Sequence, residues 1–262
     1  MYDFDFIKVN NIEEAIRELE VDDSLLLSGG QTLIPSLKQR LSNPARLISV
    51  GQLPDMVGVY FNDNGHLCIK GSTTHFQVSK TITNFHGLSK LVCKIGDAAV
   101  RYRGTVGGSL ANNDPSACYP AAVLASRGSI ITNLRVIPAK EFFLGMFTTA
   151  LEEKEIIKEV CFELPEISSY VKFEQQSSRF ALVGVFVAKF FDEVKVAVTG
   201  ASENGVFPWL EAERVLSNHF EKSLIDGIKL STDGLISDVH GSADYRAHLV
   251  KTILKRAIDD CK

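Results

Sequence analysis

A surplus of charge of either sign is the first thing this chain lacks. It carries 28 Lys and Arg against 32 Asp and Glu, a net charge of −4 over 262 residues. No basic excess is available to meet a phosphate backbone or an anionic lipid surface, so neither a nucleic acid nor a membrane is an expected partner. Long apolar runs are also missing. The longest, Phe180–Ala188, ends at Lys189, well short of the ~20 residues that span a bilayer. The opening residues, Met1-Tyr-Asp-Phe-Asp-Phe, place no basic segment ahead of an apolar one. No secretory leader is therefore expected, and the expectation is a cytoplasmic protein. Cysteine is sparse and scattered: Cys68, Cys93, Cys118, Cys161 and Cys261. There is no C-x-x-C, no zinc spacing and no iron–sulfur run, so no metal site is expected. Five reduced thiols, most of them buried as small apolar residues, are the expected state. Redox chemistry in such a chain would have to use an organic cofactor.

What is present is the composition of an ordinary globular protein, 45% hydrophobic and 23% charged, on a chain long enough for two domains. Asn11–Glu20 reads as a helix with Asn10 or Asn11 as its cap and Glu13 and Glu14 at its positive end. Strands are expected at Ser24–Leu27 and Arg46–Val50, with a helix over Leu33–Leu41 between them. A hairpin over Met56–Gly71 turns at Asp63-Asn64-Gly65. Helical spacing returns at Thr73–Ser79, Gly87–Gly96, Pro120–Ala125 and a short Lys140-Glu-Phe-Phe segment, and strands at Ser129–Thr132 and Ile156–Leu164. Beyond Pro165 the pattern shifts to longer strands, Val171–Glu174, Val183–Phe191 and Glu193–Gly200. Helices follow at Trp209–Ser217, Ser223–Lys229 and Ser242–Asp260. Val183–Phe191 is apolar on both faces apart from Lys189, the pattern of a strand covered on both sides. A domain boundary is expected at 167/168.

Two glycine-rich segments carry the chemistry. The first, Leu25-Leu-Leu-Ser28-Gly29-Gly30-Gln31-Thr32-Leu33, runs from a strand through a double glycine into a helix start. Glycine lets a ligand approach the backbone, and the helix start presents unpaired N–H groups suited to phosphate. It matches neither the G-x-G-x-x-G fingerprint nor a Walker loop. The second, Arg103-Gly104-Thr105-Val106-Gly107-Gly108-Ser109, is another double glycine flanked by two hydroxyls. Either alone could be an ordinary turn. Together they suit a diphosphate gripped from two sides, and so a dinucleotide cofactor.

The two segments, with Ala111-Asn-Asn-Asp114-Pro115 after the second, resemble the FAD-binding medium subunits of the molybdenum hydroxylases, of the xanthine, carbon monoxide and nicotinate dehydrogenase type. Ala181-Leu-Val-Gly-Val and Asp238-Val-His-Gly-Ser-Ala-Asp-Tyr-Arg246 extend the resemblance over nearly the whole chain. The resemblance implies an α+β fold with a two-lobed FAD-binding domain (1–167) and a smaller C-terminal domain of antiparallel sheet and helices (168–262). It implies non-covalent FAD, its pyrophosphate wrapped by Leu26, Leu27, Ser28, Gly29, Gly30, Gln31, Thr32, Leu33 and Ile34 and by Thr105, Gly107, Gly108 and Ser109, with Asp114 beyond the second loop. It further implies Ile95 on the adenine side, Ile156 or Ile157 near the domain junction, and Phe180 beside the flavin ring. The alternative for Phe180 is a core aromatic on a strand.

The implied role is an electron relay. A large molybdopterin subunit would oxidise the substrate, and [2Fe–2S] clusters on a small subunit would carry the electrons. FAD would then pass them to NAD or another acceptor. No residue of this chain reads as an acid–base catalyst, and His66, His75, His86, His219, His240 and His248 are scattered. Three positions depart from the family pattern. Cys118 stands where a second Asp is common, Glu174 where a basic residue is common, and Arg179 where an Asp is common. A thiol cannot hold a ribose hydroxyl as a carboxylate does. Arg101 could meet phosphate or a surface carboxylate, the latter being expected. The competing functions are a self-sufficient flavin oxidoreductase and a non-enzymatic nucleotide-binding assembly module.

Overall fold

The computed structural model describes residues 1–261. The chain opens on β1 (Asp5–Lys8), α1 (Ile12–Leu19), β2 (Ser24–Leu27), α2 (Leu33–Lys38) and β3 (Arg46–Ser49). The three strands form a parallel sheet in the order β1-β3-β2. β1 is an element that the short, charged N-terminal segment did not suggest. Of the two cap candidates on α1, Asn11 does the work: its side chain accepts from the Glu14 N–H at 2.8 Å. Ile12, Ala15 and Leu19 on one side of that helix pack with Ile48, Val50 and Met56 into a small first core.

A second lobe contains β4 (Val59–Phe61), β5 (Leu67–Lys70), α3 (His75–Thr81), α4 (His86–Cys93), α5 (Ala98–Arg103), α6 (Val106–Asn112), α7 (Tyr119–Ala125), β6 (Ser129–Thr132), β7 (Val136–Pro138), α8 (Ala139–Phe142), the small hairpin β8 (Phe143–Gly145) and β9 (Thr148–Thr149), and β10 (Ile157–Phe162). Five strands make an antiparallel sheet, β4-β5-β10-β6-β7. Its register places Cys161 opposite Cys68, and the two form a disulfide. This corrects the expectation of five reduced thiols. A sequence separation of 93 hides the pair from any spacing rule, because only strand register brings the two face to face. Cys93, Cys118 and Cys261 are free.

The last part is a four-stranded antiparallel sheet, β11 (Ile167–Glu174), β12 (Ala181–Lys189), β13 (Val194–Thr199) and β14 (Phe207–Pro208), with α9 (Leu210–Asn218) and α10 (Ala243–Asp259). β12 is buried along almost its whole length. Its alternation divides it between two cores. Val183, Val185 and Val187 pack with Leu216, Val250, Ile253 and Leu254. Phe186 and Ala188 join Phe85, Leu88 and Phe162 of the preceding lobe. A strand reading apolar on both faces is what this sandwich position requires. Among the described residues no helix is long and apolar enough to cross a membrane.

Candidate functional site

A cleft of ≈ 820 Å³ opens at the C-terminal ends of β2 and β3. That is within the ~300–1,000 Å³ of ligand and cofactor sites, and crevices beyond the carboxyl ends of parallel strands are where α/β sheets bind ligands. Every candidate cofactor-binding residue lines it except Ile34, and Ile156 and Ile157 both do. Ile34 instead lies behind the first loop, packed toward Gly30.

The first loop leaves β2 at Leu27 and enters α2 at Leu33. No carbonyl or side chain among the described residues accepts from the N–H groups of Gly29, Gly30, Gln31, Thr32 or Leu33. Five consecutive donors therefore remain for a ligand, a nest suited to an anion. Gly30 has φ +70°, where a side chain is strained. Gly29 is required for a different reason: a Cβ there would lie 2.2 Å from the carbonyl oxygen of Arg103. Its missing side chain lets two parts of the chain touch, not chain and ligand.

The second segment proves to be a helix start. Thr105 caps α6, accepting from the Gly108 N–H at 3.3 Å, and its hydroxyl shares a 2.9 Å hydrogen bond with the Ser28 hydroxyl. The two loops are thus bonded to each other. The other N–H groups that follow the cap, as far as Ser109, are satisfied too: Val106 donates to the Thr73 carbonyl at 3.1 Å, Gly107 to the Gly71 carbonyl at 2.8 Å and Ser109 to the Thr105 carbonyl at 3.0 Å. Gly107 is buried, and a Cβ on it would meet the Gly71 carbonyl at 2.7 Å. Gly108 is exposed on the cleft. The grip is therefore asymmetric. Backbone donors come from the first loop, and an open helix face with Gly108 and Ser109 comes from the second.

The remaining wall comes from beyond residue 167. Phe180 lines the cleft and is 51% exposed, so it is not the core aromatic of the alternative expectation. It follows a tight 175–180 loop closed by Gln175 N–H to the Phe180 carbonyl, with Arg179 at φ +60°. The Lys172 ammonium reaches across from β11 to donate to the carbonyls of Lys94 and Arg179, both at 2.6 Å. Cys118 and Glu174 lie beside the same ammonium, at 4.0 and 3.6 Å. All three departures from the family pattern therefore converge on Lys172, which sequence reasoning passed over because a lysine on a strand reads as a solvated face. Arg101 pairs with no carboxylate among the described residues, contrary to the expectation of a surface ion pair. Its guanidinium donates to the carbonyls of Ile95 and Gly96 and shapes that loop.

His75 was also missed, its Thr-Thr-His context showing only a helix cap. It is the first residue of α3, 4% exposed, with its ring 5.4 Å from that of Tyr119 and a buried, unpartnered Nδ1. Burial, and secondarily the charge of Arg101, depress its pKa to about 4. The folded state keeps it neutral, whereas the unfolded chain protonates it near its ordinary value of 6.5. The stability it contributes is complete above 6.5 and is lost as pH falls from there toward 4. Urea unfolding is expected to show about 2 kcal/mol lost between pH 7 and pH 5 through this residue. A His75→Phe variant that keeps the full pH dependence would assign it elsewhere.

Comparison with known proteins fits this geometry. Residues 2–166 match the family model described as the FAD binding domain in molybdopterin dehydrogenase. The chain is 31% identical to the nicotine 6-hydroxylase medium subunit of Paenarthrobacter nicotinovorans, over 95% of this chain and 93% of that one. It is 30% identical to the 6-hydroxypseudooxynicotine dehydrogenase complex subunit alpha of the same organism, over 97% and 93%. Its fold superposes on quinoline 2-oxidoreductase from Pseudomonas putida 86 with a TM-score of 0.88, at 26% identity over 99% of this chain and 96% of that one. The chain belongs to the FAD-binding medium subunits of the molybdenum hydroxylases. It is thus an oxidoreductase subunit, and the expected α+β fold stands.

Proposed function

We propose that the cleft holds FAD non-covalently, with the diphosphate against the Gly29–Leu33 N–H groups and the isoalloxazine toward Phe180. The observation that carries this reading is the run of five unpartnered N–H groups in a cleft that Gly108 and Ser109 also line. The residues present suit the group. Phosphate takes neutral backbone donors, the aromatic system takes apolar walls at Ile95, Ile156 and Phe180, and no lysine is needed at the diphosphate. FAD would supply the capacity to take up an electron pair and release it in one- or two-electron steps. The protein's part is to bind it, hold its ends apart and cover the ring. Residues 1–167 form the FAD-binding domain in this proposal and 168–262 a C-terminal domain that closes the flavin side. In the assembled complex FAD would take electrons from [2Fe–2S] clusters on a small subunit, after substrate oxidation on a large molybdopterin subunit, and would pass them to NAD or another acceptor.

The purified chain is expected to be yellow and to reduce an artificial dye with NADH. Alone it should leave purines, aldehydes and nicotinate-type heterocycles untouched. Oxidation of any of these without other subunits would contradict the relay, and a colourless protein that ignores added FAD would contradict the site.

A further inference from the structure

Lys172 is the most deeply buried cation of the cleft wall, its side chain 1% exposed. Two of its three N–H groups are fixed by the carbonyls of Lys94 and Arg179. These precede Ile95 and Phe180, which line the cleft themselves. The ammonium is therefore locked in place between two segments of the wall. Its counter-charge lies on one side only. Glu174, 3.6 Å away, is 49% exposed and screened by water. The Cys118 thiol, which also lines the cleft, lies 4.0 Å away. Burial raises the pKa of that thiol against the pull of Lys172, so it stays protonated and uncharged at neutral pH. A fixed positive charge thus borders the cleft beside an uncharged thiol. In a desolvated wall its field acts over several ångströms with little screening.

We propose that Lys172 is a positioning residue whose locked ammonium raises the reduction potential of the flavin, by stabilising the more electron-rich state of the cofactor over the oxidised one. Charge beside the flavin ring is one of the means by which a protein tunes that cofactor. The inference rests on FAD occupying the cleft with its ring toward Phe180.

The test is the midpoint potential of the FAD-loaded full chain, titrated with reductant against reference dyes. Lys172→Met and Cys118→Asp are both expected to lower it, because one deletes the charge and the other compensates it from the cleft side. The preference for reduced over oxidised FAD should fall at least tenfold, which is ~30 mV for a two-electron couple. Lys172→Arg should stay within threefold of the wild type. Glu174→Gln, a surface change that leaves the fold alone, should move the potential the opposite way. Cys118→Asp keeps Lys172 and both of its carbonyl bonds, so it reads whether charge at this place in the wall reaches the flavin without disturbing the wall. An unchanged potential in Cys118→Asp, or a fall in Glu174→Gln, would overturn the proposal while leaving FAD binding intact. If Lys172→Met fails to fold, these two variants still decide. A wild-type chain that takes up no FAD overturns the functional reading itself and the inference with it, before any variant is made.

Discussion

Gly108→Val is expected to strip the cofactor from a protein that still folds. Gly108 is exposed on the cleft, and a Cβ there meets only the Thr105 hydroxyl, at 2.9 Å. The two Val methyls would occupy space that the ligand needs and press on the cap of α6. The dissociation constant for FAD should rise at least about a hundredfold, ~2.8 kcal/mol, as read by flavin fluorescence on titrating the apo-protein. Gly108→Ala should sit between the two. The neighbouring glycines give a different result. At Gly29 and Gly107 the added carbon collides with backbone carbonyls, of Arg103 and Gly71, which cannot swing away like a side chain. Alanine at either position should lower the unfolding midpoint before it affects binding. A folded Gly108→Val protein that retains stoichiometric FAD would show that the second segment does not face the cofactor.

Arg246→Met should cost the fold ~1–3 kcal/mol, the range for leaving buried acceptors without their donor, because Asp238 itself is 37% exposed. Arg246 is 3% exposed. Its Nη1 donates to the carbonyls of Leu182 and Gly200 at 2.9 and 2.8 Å, and its Nη2 bonds both carboxylate oxygens of Asp238 at 2.9 Å. Methionine would fill much of the volume but leave the buried carbonyls of Leu182 and Gly200 without that donor, while Asp238 keeps the N–H groups of His240 and Gly241. Asp238 is held in return. Burial opposes its ionisation, but the His240 N–H and the Arg246 guanidinium outweigh that and keep its pKa below the ordinary value. Urea denaturation at pH 7 reads the effect, and a loss under ~1 kcal/mol would mean that water reaches the site.

These two cases show what the sequence exposes and what it conceals. The tail Asp238-Val-His-Gly-Ser-Ala-Asp-Tyr-Arg246 is a local motif, and its physics is local. Asp238 accepts from the N–H groups of His240 and Gly241, Ser242 caps α10, and Arg246, one turn into that helix, returns to Asp238. Helix spacing, caps and strand alternation were legible for the same reason: α1, α10 and β12 declare themselves within a few residues. The convergence of the two glycine segments in one cleft was also legible, because each is a chemical motif in its own right. Concealed were features that need register or a third element. Cys68 meets Cys161 only through the β5–β10 pairing. Lys172 acquires its setting from Lys94, Cys118 and Arg179, far apart in the chain. α6 was obscured by its own composition, since Gly107 and Gly108 oppose helix formation and only the Thr105 cap and the packing around Leu110 sustain it.

The division of β12 between two cores has a consequence for how the chain leaves the ribosome. The residues that would complete the first large core, around Phe85, Leu88 and Phe162, include Phe186 and Ala188. Until these emerge, that core presents an open apolar face where β12 will lie. At ~5–20 residues per second the exposure lasts for seconds, long enough for chaperone capture or aggregation. The order of synthesis therefore makes the second lobe depend on a strand made late.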